Sequence, residues 1–450
     1  MRNETSKYLE LCDSILQLAR KRRVARAEVY HVRGRQTEVR VRSGKTELVK
    51  EAVSQGVGLR LLRRKRQGFA STTDLTVSGL TALLDEALAA SDITEADRHL
   101  GLPTHTKIPN RRLQIHDTAI DTLTMDRRIE QAKVLEAAAR GADRRITGMH
   151  ETEWSDGESM VTLLNTNGLS GHFATTGFSL SCAPVAGRGA NRQTGYWYDY
   201  KRNLAALDSP ETVGNKAAER TLRKLGARKV KSGQYPIVFD PQAAAGLLGS
   251  LLSALNGESV LRRRSFFCDR LTQQVASKLV TVIDDGMLRG GLSTRPFDGE
   301  GVATSKKALI QKGRLKRYLY NTYTARRAGV QSTGNATRSY SSIPGIGCQN
   351  FYLQAGNSTP EAIIGSVDRG LLVTGMMGHG LNPVTGDFSR GAEGLWIEKG
   401  QIKHAVQGVT IAGNLLKILQ QIEMVGNDLE FRSGVASPTI LVRQMTVSGK

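Results

Sequence analysis

The residues that could bind a metal ion or act as a nucleophile are widely spaced in this 450-residue chain. Its four cysteines stand far apart, at Cys12, Cys182, Cys268 and Cys348. Without a Cys-x-x-Cys pair they argue against a zinc ribbon and a disulfide framework, and they suit a reducing compartment. The one His-Glu pair, His150-Glu151, is followed by no second histidine of a metal motif, and no Gly-x-Ser-x-Gly motif occurs. The residue types therefore predict no catalytic residue, no metal ligand and no cofactor-binding residue in this chain.

Polar side chains concentrate instead in a glycine- and proline-rich stretch from Gly375 to Gly391. Glycine permits positive φ and close approach of another backbone, and proline fixes φ, so this composition predicts a shaped wall rather than a plain turn. Its polar side chains either line a groove that holds an extended peptide by its backbone, or cap turns within the stretch. His379 could likewise line the groove, or it could hold the loop in place by hydrogen bonds to the backbone. The substrate-groove candidates are His379, Asn382, Asp387, Ser389 and Arg390.

The helices and strands expected along the rest of the chain, which must hold this stretch in place, predict an α+β fold. Residues 1–100 are interpreted as an N-terminal α+β unit and residues 101–228 as a central α+β unit, both built of β-hairpins and helices. Residues 229–450 are rich in glycine and short strands, which predicts a β-rich domain of barrel or sandwich type. In the first unit, Gly34 and Ser43-Gly44 are interpreted as turns between short strands. In the last, Asp240-Pro241 opens an apolar helix that continues to Leu255.

The densest aromatic cluster of the chain is the segment Tyr196-Trp197-Tyr198-Asp199-Tyr200. Such a cluster more often fills a core or an interface, and the alternative is a wall on which a ligand stacks. The sequence alone leaves both interpretations open.

The net charge of +21 raises nucleic acid as a partner. Two basic clusters stand out, Arg63–Arg66 and Arg262–Arg264, but elsewhere the basic residues are scattered and aromatic residues do not alternate with them. Specific nucleic-acid binding is therefore not expected. The N-terminus leads into no signal-peptide core, and no apolar run reaches membrane-spanning length. These features predict a cytoplasmic protein without a membrane segment.

Several C-terminal blocks of the sequence resemble the TldD/PmbA family, and most closely its PmbA (TldE) branch. The matching blocks occur in the family's order, and the resemblance extends more weakly over nearly the whole chain. They comprise residues 375–390, Val409-Thr410-Ile411-Ala412-Gly413-Asn414, Val425-Gly426-Asn427-Asp428 and Ser437-Pro438-Thr439-Ile440. The resemblance implies a TldD/PmbA-like fold and a role in a protease that processes peptides, including microcin-type precursors.

The resemblance also implies where a zinc site would stand. The TldD branch carries a His-Glu-x-x-x-His helix and a distant cysteine ligand. At the matching helix positions this chain has Leu248, Gly249 and Ser253, and residues 431–436 contain no cysteine. The chain thus matches the PmbA branch, in which zinc is expected only in a TldD-type partner.

The expected function is that of a metal-free, non-catalytic subunit of a TldD/PmbA-type metalloprotease complex. It would pair with a TldD-type paralogue or with itself, and contribute a dimer interface and a groove for unstructured peptides. Two alternatives remain: a hydrolase with unrecognised chemistry, and a basic nucleic-acid-binding protein. The latter would show the steep salt dependence of phosphate contacts.

Overall fold

The computed structural model describes residues 2–104, 108 and 111–450 of the chain. Its first half is one antiparallel sheet with helices packed on it, and its second half is dominated by a closed barrel. The predicted α+β class with a β-rich C-terminal part is therefore confirmed, and the C-terminal sheet is a barrel rather than a sandwich.

The sheet of the first half has the strand order β3-β2-β1-β4-β5-β6, and β7 pairs with β5. Its strands are β1 (Arg26–Arg42), β2 (Lys45–Arg63), β3 (Arg66–Thr72), β4 (Ile146–Asn165), β5 (Ser170–Ala186), β6 (Gln193–Thr194) and β7 (Trp197–Lys201). Its α-helices are α1 (Arg2–Lys21), α2 (Val77–Ile93), α3 (Met125–Gly141) and α4 (Pro210–Leu222). Short 3₁₀ helices cover Thr118–Asp121, Gly189–Asn191 and Leu204–Ala206.

The long strands of this sheet correct one expectation. Gly34 is not a turn, because it pairs with Ser54 on one side and Ser159 on the other within continuous strands. The two neighbouring ladders supply the backbone hydrogen bonds that outweigh the weak strand preference of glycine. Ser43 and Gly44 do form the predicted turn, with φ of 54° and 73°. Since β1 also pairs with β4, one sheet joins residues of the two predicted units, and the division at residue 100 stays a prediction.

The second half follows the sheet order β17-β16-β15-β8-β20-β18, and pairing of β17 with β20 closes a five-stranded barrel. Alternation along β15 explains its two packed faces: Leu371 and Val373 join the main core, while Leu372 joins a second apolar cluster outside it. The strands are β8 (Gly233–Phe239), β9 (Val282–Asp285), β10 (Lys306–Gln311), β11 (Arg314–Leu315), β12 (Ala336–Thr337), β13 (Gly345–Ile346), β14 (Asn350–Leu353), β15 (Arg369–Met377), β16 (Asp387–Glu398), β17 (Gln401–Asn414), β18 (Ile422–Val425), β19 (Val435–Ala436) and β20 (Ile440–Ser448).

The helix predicted from Pro241 to Leu255 is interrupted. Ser250 ends its first segment with a tightened turn, in which the backbone N–H bonds the Leu247 carbonyl and the hydroxyl donates to the Gly246 carbonyl. Such a serine bond back to the preceding turn bends helices. The helices of this half are α5 (Pro241–Gly249), α6 (Leu251–Leu255), α7 (Gly257–Leu261), α8 (Thr322–Ala328), α9 (Pro360–Gly365) and α10 (Leu415–Gln420).

The two halves meet at a buried ion network. Arg60 on β2 donates to Glu28 on β1 and to Glu300 of the second half, with nitrogen–oxygen distances of 3.1 Å to each. Arg338 binds Glu28 from the other side. All four side chains are almost fully buried, so this network ties the sheet to the barrel half. In the described part of the chain, no helix combines the length and the apolar character needed to span a membrane.

Candidate functional site

Helix α5 and residues 430–436, far apart in the sequence, face each other across a cavity of about 380 Å³, here called the α5 cavity. The helix lines it with small residues, including Gly246 and Gly249. A side chain added at Gly249 would begin in open space, because apart from its chain neighbours and its own helix backbone no described atom lies within 4 Å of the added Cβ. The small residues therefore leave room for a ligand where larger side chains would fill the cavity.

A further part of the α5 cavity's lining is aromatic and comes from the first half of the chain, as Trp197 and Tyr198. The ring of Trp197 on β7 lies between two guanidinium groups, with Arg220 at 4.8 Å and Arg432 at 4.5 Å from its centroid. Arg432 also binds Asp199 at 3.0 Å and Asp208 at 3.3 Å. The aromatic cluster thus packs where the two halves of the chain meet and also lines a cavity, and stacking of a ligand on it stays a prediction.

A buried acid anchors the start of α5. Asp240 caps the helix by accepting the Ala243 N–H at 2.9 Å, and Pro241 occupies the first helical position. Its second oxygen accepts hydrogen bonds from both terminal nitrogens of Arg220, at 3.1 and 3.2 Å. Burial raises the pKa of the Asp240 carboxyl, and the Arg220 guanidinium opposes that shift. Arg220 also donates hydrogen bonds to the side-chain oxygen of Gln242 and to the Thr374 carbonyl, so it links α4, α5 and β15.

A second cavity of about 240 Å³, here called the β15 cavity, adjoins the first. The two share Arg220, Gln242 and Gly246 as lining residues. Strand β15 pairs with β8 only as far as Val373, because the chain then turns at Asp240 into α5. Residues 375–377 continue to pair with β16 on one side, but no described strand pairs with their other edge. Together the cavities form a groove with one free strand edge.

The five groove candidates divide into separate environments. Arg390 lines the β15 cavity. Asn382 instead accepts the backbone N–H of Val384 at 3.0 Å, and Asp387 accepts the Thr385 hydroxyl at 2.7 Å. These are turn-capping bonds.

The other two candidates lie on the exposed part of the loop. Ser389 is exposed, and its backbone N–H donates to the Gly380 carbonyl at 2.7 Å. The chain passes so close there that a Cβ on Gly380 would collide with the Ser389 carbonyl oxygen. His379 is also exposed. The structure therefore brings Arg390 alone among the candidates into the groove lining, and a role of the other four in substrate contact stays a prediction.

The residues at the implied zinc positions do not fit a zinc ion. Leu248 packs in the main core, Gly249 has no side chain, and exposed Ser253 donates to the Ser250 carbonyl at 3.2 Å. Residues 430–436 face α5 without a cysteine, histidine or aspartate. Within residues 2–104, 108 and 111–450, no group of three His, Cys, Asp or Glu side chains is placed to hold a metal ion. A tetrahedral site needs four such donors or three and a water.

The turn-capping geometry predicts the behaviour of Asp387→Ala. The bonds from Thr385 and from the Asn414 side chain lower the pKa of Asp387, so they stabilise the fold above the ordinary carboxyl pKa and are lost as pH falls through the lowered value. The variant should melt at a lower temperature than the parent at neutral pH, and the difference should vanish in acid. Thermal melts across pH measure this. Equal melting temperatures combined with weakened peptide binding would place Asp387 in the groove instead.

Several residues of the groove were not singled out by sequence reasoning. Arg220 sits on a helix with no motif around it, and Arg432 was noted only as part of a loop without cysteine. Trp197 carried a signal, since it belongs to the aromatic cluster. The contacts of Arg220 and Arg432 with Trp197 cannot be predicted from residue spacing, because the three residues come from separate segments of the chain.

The chain is similar to known proteins over most of its length. Residues 27–91, 119–225 and 232–449 match the models of PmbA/TldA metallopeptidase domain 1, central domain and C-terminal domain. "Metalloprotease PmbA" of Escherichia coli O157:H7 is 32% identical over 412 residues, covering 92% of this chain and 90% of that protein.

Solved structures show the same similarity. A protein from Bacteroides thetaiotaomicron, titled a candidate modulator of DNA gyrase, superposes with a TM-score of 0.90 at 30% identity, covering 98% of both chains. TldE from Thermococcus kodakarensis shares the fold with a TM-score of 0.88 at 24% identity, covering 98% of this chain and 100% of that one.

Proposed function

This chain belongs to the PmbA/TldD metallopeptidase family, and on that basis we propose that it is the metal-free, non-catalytic subunit of a cytoplasmic peptide-processing protease. In this proposal a TldD-type chain is the partner and carries the zinc ion. The chain described here contributes part of the interface and a groove that holds an extended, unstructured peptide.

The observation that carries the proposal is the state of the α5 cavity. The two segments that would hold the family's zinc ligands meet at this cavity. Of the implied helix positions only Gly249 lines it, since Leu248 is packed in the core and Ser253 is exposed, and residues 430–436 offer no cysteine or histidine and one carboxylate, Glu430. Leucine and glycine provide no side-chain donor, and a serine hydroxyl is a poor zinc ligand. Hydrolysis by the family's chemistry therefore needs ligands from another chain.

The groove itself supports a role in holding peptide. Residues 375–377 present backbone N–H and C=O groups on an edge that no described strand occupies. An extended peptide can add a strand to such an edge through main-chain hydrogen bonds, which requires no particular side chains. The adjoining α5 cavity has room for side chains against Trp197. A subunit with these features binds a peptide without cutting it.

The proposal predicts the outcome of mixing purified chains. Alone, this chain should hold no stoichiometric zinc and should leave an unstructured peptide uncut. With a TldD-type chain it should form a stable complex that cleaves the peptide, and chelators or loss of the partner's ligands should abolish cleavage. Elemental analysis, light scattering and a peptide-cleavage assay measure these three properties.

Ser253→Ala provides the control within this chain, because its hydroxyl is the one side-chain oxygen donor at the three implied helix positions. Cleavage by the complex should be unchanged in this variant. Chelator-sensitive proteolysis by the present chain alone, free of contaminating protease, would contradict the proposal. Self-association without binding to the TldD-type chain would contradict the assigned partner.

A further inference from the structure

Arg390 differs from the other cationic side chains around the groove, because none of the described residues is its partner. Arg220 is paired with Asp240, Lys224 with Glu393 at 2.6 Å, and Arg432 with Asp199. The Nε of Arg390 is buried, and within the described chain neither this atom nor the rest of the guanidinium forms a hydrogen bond or an ion pair. A buried donor without a partner costs free energy, so such a group in a native protein needs an explanation.

The surroundings of Arg390 leave its charge uncompensated. The β15 cavity is lined by three cationic side chains, Arg220, Lys224 and Arg390, and by one carboxylate, Glu393. Glu393 is engaged by Lys224, and Arg220 is neutralised by Asp240 beyond the cavity wall. The cavity therefore carries a net positive charge at Arg390, which comes from the paired strand β16 and lines the same cavity as Gly375 and Met376 of β15.

We propose that Arg390 is the anion-binding residue of the groove and receives a carboxylate of the bound peptide. This inference rests on the proposed function, because it assumes that an extended peptide lies along the β15 edge. A guanidinium binds a carboxylate through two parallel N–H···O bonds, and this pairing fixes direction as well as adding affinity. The carboxylate comes from an acidic side chain or from the peptide's C-terminus. The substrate class is thus peptides with a carboxylate at one defined position along the added strand.

The experiment compares three fluorescently labelled peptides of one unstructured sequence on the full-length chain, alone and in the complex with a TldD-type chain. The first carries one glutamate and a C-terminal amide, the second glutamine and the amide, and the third glutamine and a free C-terminal carboxylate. Fluorescence anisotropy gives each Kd for the parent chain, Arg390→Gln and Arg390→Lys. Arg20→Gln is the matched control, because Arg20 is exposed in the last turn of α1.

The parent chain should bind one carboxylate peptide about 10- to 100-fold more tightly than the neutral peptide, as expected for a charge-assisted hydrogen-bonded pair. Arg390→Gln should remove this preference and leave the Kd of the neutral peptide unchanged. Arg390→Lys should retain part of it, because it keeps the charge but not the two parallel bonds. Arg20→Gln should match the parent. The peptide that gains affinity identifies the source of the carboxylate.

Equal binding of all three peptides by the parent chain would overturn the inference while leaving the groove intact. So would a uniform loss of affinity in Arg390→Gln. If Arg390→Gln does not fold, Arg390→Lys decides, because an undiminished preference for the carboxylate peptide in that variant would contradict the two-bond pairing. Failure of every peptide to bind would overturn the groove assigned under the proposed function, and this inference with it.

Discussion

Replacing Arg60 by methionine is expected to lower the free energy of unfolding by about 3–5 kcal/mol, because it removes one member of a buried ion network. Arg60 is 3% exposed and binds Glu28 and Glu300, which are both almost fully buried. In Arg60→Met, Glu28 keeps its pair with Arg338, and among the described groups Glu300 keeps the Thr322 N–H at 2.7 Å but no cationic partner. Uncompensated charge in a low-dielectric interior is the cause of the loss. Denaturant unfolding measures it.

Arg22→Met is the matched control. Arg22 forms an ion pair with Asp85 at 3.1 Å, the same distance as that from Arg60 to Glu300. The side chains of Arg22 and Asp85 are both more than half exposed. Because exposed pairs contribute about 0–1 kcal/mol, this variant should be nearly neutral. Hydrogen exchange at Thr322 should accelerate in Arg60→Met only. Similar small losses in both variants would show that the network does not hold the two halves together.

Replacing His31 by phenylalanine is expected to remove much of the acid sensitivity of folding. His31 is fully buried on β1, stacks on Tyr8 of α1 with centroids 4.4 Å apart, and neither ring nitrogen bonds to a described group. Burial, together with the charges of His172 and Arg33, lowers the pKa of His31 from 6.5 to about 4. The unfolded chain therefore binds a proton that the folded chain excludes. The parent protein should lose about 3 kcal/mol of stability as pH falls from about 6.5 to about 4.

Phenylalanine keeps the stacking on Tyr8 and cannot be protonated, so this part of the pH dependence should disappear. At neutral pH the variant should be at least as stable as the parent, since two unpaired buried nitrogens are removed. Unfolding free energies at several pH values test both statements. His379→Phe on the exposed loop should preserve the parent profile. Parallel pH profiles for the parent and His31→Phe would refute the expectation.

Features that depend on neighbours in the sequence were predictable. Asp240-Pro241 starts a helix because the aspartate caps it and the proline has the φ of a first helical position. The turn at Ser43-Gly44 has positive φ at both residues, which glycine adopts without steric cost. The absence of histidine and cysteine at the implied zinc positions is also a property of the sequence alone.

The two errors have different causes, one a pairing between distant segments and the other a local side-chain bond. Gly34 was interpreted as a turn because glycine is a poor strand former, but strands on both sides hold it in an extended ladder. The helix after Asp240 was predicted as continuous because its leucines repeat at helical spacing, yet the Ser250 hydroxyl bond to Gly246 accompanies a break there. Periodicity reports which side of a helix is buried, and it does not report such local bonds.

By itself, the sequence determined the fold class, the helix start at Asp240-Pro241, the turn at Ser43-Gly44 and the lack of histidine and cysteine at the implied zinc positions. Only the tertiary structure decided which side chains meet at the groove. Trp197, Arg220, Arg390 and Arg432 come from four elements or loops, and their contacts depend on how the sheet packs against the barrel. The physical reason is the distance along the chain between the interacting groups. Caps and turns form by hydrogen bonds between near neighbours in the sequence, whereas the environment of Arg390 depends on all the segments that surround the cavity.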